Sequence, residues 1–389
     1  MTRETVLSNA SIVLDGEILH GSVQIRDGLI ADIASGPSQD GEDLEGDHLL
    51  PGIVEVHTDH LEYHFSPRPG VKWEPLPAVL ASDAQLAAAG ATTVLDAVRV
   101  GSGSDHGGAA KDGRRLADAI ELAADAGLLR ADHAIHVRCE VSCEDCADAF
   151  GAFADDPYVR LVSLMDHTPG QRQYADLETF KRYHIGKGHV TESGFDAYVA
   201  PLLERAARYS DANRRMIAGL ASERGIPLAA HDDATVEHVA ESVALGALIA
   251  EFPTTVLAAK EAQQRGQQIV MGAPNIVRGG SQSGNVAAAE LLGLGLLDIL
   301  SSDYVPSSPL QAVFQLSADG TLGLVDGAKL ISGNPARAVG LDDRGEIAVG
   351  KRADLVRVRP YDLPATDRHP HGRRVPVVRG VYRQGARVS

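Results

Sequence analysis

Three cysteines in 389 residues are too few, and odd in number, for a disulfide framework. Basic residues are also short: 36 Lys and Arg stand against 53 Asp and Glu, a formal charge of −17. A surface of that sign does not attract nucleic acid or anionic lipid, which need basic patches. No run of about 18 apolar residues occurs, so no spanning helix is expected. The opening Met1-Thr2-Arg3-Glu4-Thr5 lacks the basic and apolar regions of a secretory leader. These absences predict a cytoplasmic protein with no nucleic-acid and no membrane partner. They do not exclude an anionic small substrate, because a local basic pocket or a metal overrides the global sign.

What remains is a chain able to bury a large core, 44% hydrophobic and rich in Gly. Both ends alternate apolar and polar residues. Val6 to Leu14 and Gly21 to Ile25 are separated by turn signals at Asp15-Gly16, Asp27-Gly28 and Gly36-Pro37. The pattern returns at Ala353 to Val358, Val375 to Val378 and Val381 to Arg383. It predicts one small β-sandwich domain built from both termini, residues 1–50 and 336–389.

The middle, 51–335, alternates strand-like and helix-like pieces. Strands are expected at Ile53–His57, Thr92–Ala97, Ala134–Glu140, Val159–His167, Ile226–His231, Leu248–Phe252, Gln267–Ala273 and Asp298–Asp303. Helical stretches such as Arg114–Ala126, Gly194–Glu223 and Val256–Gln264 lie between them. Eight such units predict an α/β fold, a (β/α)8 TIM-like barrel. An open doubly wound sheet has the same periodicity, but no dinucleotide fingerprint follows a strand.

The chemistry concentrates at strand ends. His57 and Asp59 are two apart after a β-branched run, so they face one side. His60 and His64, four apart, would instead share a helix face. Further strands end in Glu140, His167, His231-Asp232-Asp233 and Asp303. Any one alone is an ordinary polar terminus. In a barrel, however, C-terminal strand ends meet at one mouth. His57, Asp59, His167 and His231, bridged by Glu140, would then hold two divalent metal ions. The donors suit zinc first, with manganese or iron as alternatives. Asp303 sits opposite as the catalytic base, taking a proton from the attacking water.

Cys139, Cys143 and Cys146 have a spacing also seen at iron–sulfur sites of radical S-adenosylmethionine enzymes. Their place after the third strand and the intervening Glu144-Asp145 favour ordinary reduced thiols. Arg278-Gly279-Gly280-Ser281-Gln282-Ser283-Gly284-Asn285 admits two readings, a phosphate cradle of amides and hydroxyls or a tight turn needing glycine. Arg68, in Pro67-Arg68-Pro69-Gly70, and Arg172, after His167, add candidate cations. Lys181, Arg182 and Lys187 extend the positive charge along a long insertion.

Leu50-Pro51-Gly52 leading into His57-x-Asp59 resembles the amidohydrolase superfamily. So does Ser332-Gly333-Asn334-Pro335-Ala336-Arg337-Ala338, followed by Gly345 to Leu355. Three longer motifs are similar to one branch, the diphosphatases of phosphonate metabolism in the carbon–phosphorus lyase pathway. They are His57-Thr58-Asp59-x-x-Glu62-x-His64 with Pro67 to Gly70, Met165 to Gln171, and Ala273-Pro274-Asn275-x-Val277-Arg278-Gly279-Gly280-Ser281. The likeness spans nearly the whole chain. His60 stands where that branch commonly has Asn, Tyr63 where it has Lys, and Glu251 where many amidohydrolases have His.

The resemblance implies a metal-dependent barrel with a flanking β-sandwich. It implies hydrolysis of α-D-ribose 1-methylphosphonate 5-triphosphate to the 5-phosphate and pyrophosphate. Arg68, Arg172, Arg278 and Ser281 are then expected to hold the phosphorylated small-molecule substrate. A homo-oligomer is expected. The alternatives are a hydrolase of a cyclic amide or N-acyl substrate, and a catalytically dead barrel serving as a scaffold.

Overall fold

The computed structural model describes residues 4–101, 109–174, 177–186, 188, 190–281, 284–366 and 373–389. Lys187, Gln282 and Ser283 lie outside the described residues. Two sheets organise the chain. Eight parallel strands run in strict chain order: β6 (Ile53–Thr58), β7 (Ala91–Val100), β8 (Asp132–Glu140), β9 (Val159–Met165), β10 (Leu228–His231), β11 (Ile249–Glu251), β12 (Gln268–Gly272) and β13 (Ile299–Ser301). Each matches an expected strand, with ends shifted by a few residues. Helices follow them, among them Pro75–Ala88, Phe195–Glu223 and Val256–Gln264.

The sheet closes between its first and last strands. Asp303 N donates to His57 O at 3.1 Å and Asp59 N to Asp303 O at 2.9 Å. Beside this seam the buried Glu55 carboxylate accepts from His57 N at 2.9 Å and Ser302 N at 2.7 Å. A carboxylate thus replaces the ladder bonds that two short strands cannot make to each other. Burial raises the Glu55 pKa to about 7, despite the bonds it accepts from Ser302 and His57.

Below the seam, the barrel interior is apolar. Val54, Val56, Leu95, Leu161, Ala229, Ile249, Val270 and Ile299 point inward and are buried. The N-terminal end is stoppered by Ala336 and Val339, from the helix Gly333–Ala338 and its C-cap. That helix straddles the expected domain boundary at residue 336, yet packs with the barrel core. With one end filled, only the C-terminal mouth remains for a site.

The second sheet joins both termini: β1 (Glu4–Val13), β2 (Ile18–Arg26), β3 (Leu29–Ser35), β4 (Glu42–Asp43), β5 (His48–Pro51), β14 (Leu355–Leu363), β15 (Arg373–Arg383) and β16 (Ala386–Arg387). The central pairing is β5 with β14, antiparallel, and β5 with β1, parallel. The sheet curls on itself. Ile30 N donates to Lys351 O at 2.8 Å and Ala353 N to Gly28 O at 2.9 Å. Two-residue periodicity sorts the side chains. Ile12, Leu49, Leu355 and Tyr382 fill the small core. Their neighbours Val13, Leu50, Val356 and Val381 pack with the barrel helix Ser308–Ala318. Cys139, Cys143 and Cys146 are buried in an apolar cluster outside β8.

Candidate active site

Strand β6 delivers His57 and then ends at Thr58; the chain turns at once into the helix His60–Phe65. Both local readings of this stretch therefore have a place. His57 sits on the strand, while His60 and His64 share a helix face with their Nε2 atoms 3.0 Å apart.

Glu251, at the end of β11, lies at the centre of the mouth. Its Oε1 is 2.6 Å from His57 Nδ1 and its Oε2 is 2.7 Å from His231 Nδ1. Ser163 Oγ donates to Oε2 at 2.9 Å. The partners His57 and His136, and the bonds from His231 and His57, overcome burial and hold the Glu251 pKa well below its ordinary value. A carboxylate this ionised accepts, so both imidazoles carry their proton on Nδ1. Their Nε2 lone pairs are left facing the mouth, the tautomer a metal ligand needs.

His167 repeats the arrangement on a second carboxylate. Its Nδ1 is 2.5 Å from Glu140 Oε2, while Glu140 Oε1 accepts from His167 N and Ser142 Oγ, each at 3.0 Å. Against burial, the His167 contact lowers the Glu140 pKa to about 2. The sequence reading made Glu140 a bridge between metals. In the structure it lies behind His167, with Oε2 on that ring and Oε1 taken by His167 N and Ser142 Oγ.

Among the described residues, three groups of His and carboxylate atoms gather within 4.8 Å: His57, Asp59 and Asp303; His167, His231 and Asp232; His57, His136 and Glu251. The first two face the mouth. Asp232 Oδ2 is buried with no hydrogen-bond partner, 3.3 Å from His231 Nε2 and 3.9 Å from His167 Nε2. A buried carboxylate oxygen without a donor is costly unless a cation completes it. That orphan oxygen, with two imidazole nitrogens beside it, fits a divalent ion.

Asp303 lies across from this group. Burial raises its pKa to about 6, with His57 opposing and Asp59 reinforcing the shift. Asp232, Phe252 and Asp303 adopt φ of 61°, 55° and 52°, each just after a barrel strand. Left-handed backbone at a non-glycine residue costs about 1–3 kcal/mol and marks positions held by their surroundings. At Gly272 a Cβ would lie 3.3 Å from Asp303 Oδ2, so the missing side chain leaves room for that carboxylate.

Sequence reasoning missed four residues here. Glu251 read only as a missing histidine, and Asp232 was left among the polar residues after His231. His136 and Arg138 precede Glu140 at two-residue steps, so the alternation on β8 points all three inward. Burial depresses the His136 pKa to about 3, and the ring forms a polar floor with Ser163. Arg138 is buried, donates through Nη1 to Asp59 and lies with Nη2 3.4 Å from His231 Nε2.

The candidate substrate residues divide. Arg172 is buried and ion-paired with Asp233 and Glu241, the latter at 2.9 Å. Its charge is committed to the base of the insertion. Arg68 is exposed on a tight loop beyond the first helix. Arg278 is exposed and donates to Tyr304 Oη at 3.1 Å, one residue past Asp303. Ser281 is half-buried just beyond. Gly279 and Gly280 spend their amides on Ile276 O and Asn275 O, and Gly279 has φ of 79°. Of the two readings of this segment, these glycines follow the turn and leave no amide for phosphate.

A stoppered (β/α)8 barrel with histidine–carboxylate groups at its C-terminal mouth is the frame of a hydrolase of the amidohydrolase class. The chain belongs to the amidohydrolase family, which it matches over residues 78–389. It is 45% identical over 387 residues to the alpha-D-ribose 1-methylphosphonate 5-triphosphate diphosphatase of Escherichia coli (strain K12). That comparison covers 98% of this chain and 100% of the relative.

Solved structures share the fold. A dihydropyrimidinase from Brevibacillus agri is 15% identical at a TM-score of 0.57, covering 99% of this chain and 95% of that one. An N-acetyl-D-glucosamine-6-phosphate deacetylase mutant from Mycobacterium smegmatis is 16% identical at 0.59, covering 99% of each. Amidohydrolases are typically metal-dependent, and the donor groups described above are of that kind. No helix among the described residues is long and apolar enough to cross a membrane.

Proposed function

We propose that this protein is a metal-dependent diphosphatase that hydrolyses α-D-ribose 1-methylphosphonate 5-triphosphate to the 5-phosphate and pyrophosphate. The observation that carries the reading is the full-length 45% identity to a diphosphatase of that name. The mouth described above is compatible with it: a buried base faces metal-capable groups, with two arginines on the rim. A cytoplasmic location follows from such a metabolic role.

The donor set of His167, His231 and Asp232 suits a divalent ion, zinc first, with manganese or iron as alternatives; His57 and Asp59 belong to a separate group across the mouth. When bound, the ion would supply positive charge to phosphoryl oxygens and acidify a water. The chain's own residues do the rest. Glu251 and Glu140 fix the imidazoles. Asp303, as carboxylate, accepts the proton of the attacking water. Arg278 and Arg68 hold the departing polyphosphate, whose charge the acidic chain would otherwise repel.

A charge-assisted bond to phosphate contributes roughly 1.5–3 kcal/mol. Arg278→Ala should therefore reduce kcat/KM for the triphosphate by about ten- to a hundred-fold, at about 1.4 kcal/mol per decade. Metal content should not change. Cyclic amides carry no polyanion, so any turnover of one should be indifferent to the substitution. Unchanged triphosphate turnover in the variant, beside measurable turnover of a cyclic amide, would favour the amide-hydrolase alternative.

A further inference from the structure

The Arg138 guanidinium is the feature of the mouth that an ordinary two-metal site does not explain. It is buried on β8, between His136 and Glu140, and so projects into the barrel. Nη1 donates to Asp59, and Nη2 reaches toward His231 Nε2 at 3.4 Å. A guanidinium cannot discharge by losing a proton in a protein. It is thus a permanent cation placed between the two histidine–carboxylate groups. In two-metal hydrolases the ions stand about 3.5–4 Å apart and share ligands across that gap. Here the side chain already makes that connection.

The two groups are unequal in what they leave unsatisfied. Asp59 has its cation in Arg138, whose Nη1 donates to it. Asp232 Oδ2 has no hydrogen-bond donor. Nδ1 of His167 meets Glu140 and Nδ1 of His231 meets Glu251, while His167, His231 and Asp232 each bring one ligand atom within 4.8 Å of the others. The 3.4 Å contact from Arg138 to His231 is long for a hydrogen bond and weakly held. From this we infer that the mouth binds one divalent ion, in the His167–His231–Asp232 group, while Arg138 takes the second cation's place on Asp59. The fixed charge there faces the phosphoryl oxygens without depending on a second ion. This rests on the metal-dependent reading of the site.

The test is metal stoichiometry. Apo-protein is loaded with Zn2+ or Mn2+, freed of excess, and analysed for metal per chain; Mn2+ samples are also examined by electron paramagnetic resonance. Wild type should hold one equivalent, with the signal of an isolated ion. His231→Ala should lose it. Asp59→Asn, whose amide oxygen still accepts from Arg138, should keep one equivalent with a Kd within about threefold of wild type. Arg138→Met, if folded by thermal melt, frees Asp59 and should take a second equivalent with a spin-coupled signal.

Two equivalents in wild type would overturn the inference. So would loss of metal in Asp59→Asn, or a single equivalent in folded Arg138→Met. No stoichiometric metal in wild type would instead remove the metal-dependent reading beneath it.

Discussion

Asp303→Asn should lower kcat by about two to four orders of magnitude, the usual contribution of a positioned general base. Metal content should stay at its wild-type level if the ion resides on His167, His231 and Asp232. Asparagine keeps the size and the left-handed backbone at φ 52°, which it tolerates well, so the seam through Asp303 N and O should survive. The pH profile carries the sharper signature. Burial raises the Asp303 pKa to about 6. The base works only as carboxylate, so activity should be full above that value and fall as pH drops through it. A bound divalent ion nearby favours the carboxylate and moves the limb lower. The wild-type acid limb should therefore lie at or below about pH 6, and the residual activity of Asp303→Asn should lack it. An unchanged limb in the variant would assign that titration to another group.

Glu251→Gln should cost about 10–100-fold in metal affinity, the scale for removing a partner that orients a ligand. Glu251 accepts from two Nδ1–H groups at 2.6 and 2.7 Å. An amide has one oxygen and one NH2, so it can accept from only one ring. The other histidine meets a donor, and its favoured tautomer shifts the proton to Nε2, where it blocks coordination. Breaking a buried charged network also costs about 3–5 kcal/mol. A lower Tm than wild type is expected even in apo-protein. Isothermal titration with Zn2+ and a thermal melt measure both effects. Wild-type affinity in Glu251→Gln would mean that Glu251 does not set the histidine tautomers.

Much of this was readable along the chain, because its elements are local. The eight strands announce themselves as short apolar runs, and His57, His231 and Asp303 fall at or just past their ends. Leu49 beside Leu50 shows why the termini form one sheet, since each face needs its own apolar set. The histidine partners were harder. Glu251 ends a strand of three residues, and its role depends on His57, 194 positions away. Arg138 sits in a buried apolar strand, where sequence alone gives a charged residue no partner. Arg172 is the opposite case. It follows His167 as a substrate ligand would, yet Asp233 and Glu241 from later segments enclose it. Position at a strand end is local information; which carboxylate meets which cation is not.

The central claim is a phosphoanhydride cleaved at a metal-dependent mouth, and phosphorus NMR of the metal-loaded wild-type protein tests it most directly. With α-D-ribose 1-methylphosphonate 5-triphosphate, the triphosphate resonances should give way to pyrophosphate and a 5-phosphate monoester while the phosphonate signal persists. Chelated protein should leave the spectrum unchanged. Orthophosphate as the first product, or equal turnover by chelated protein, would contradict the account.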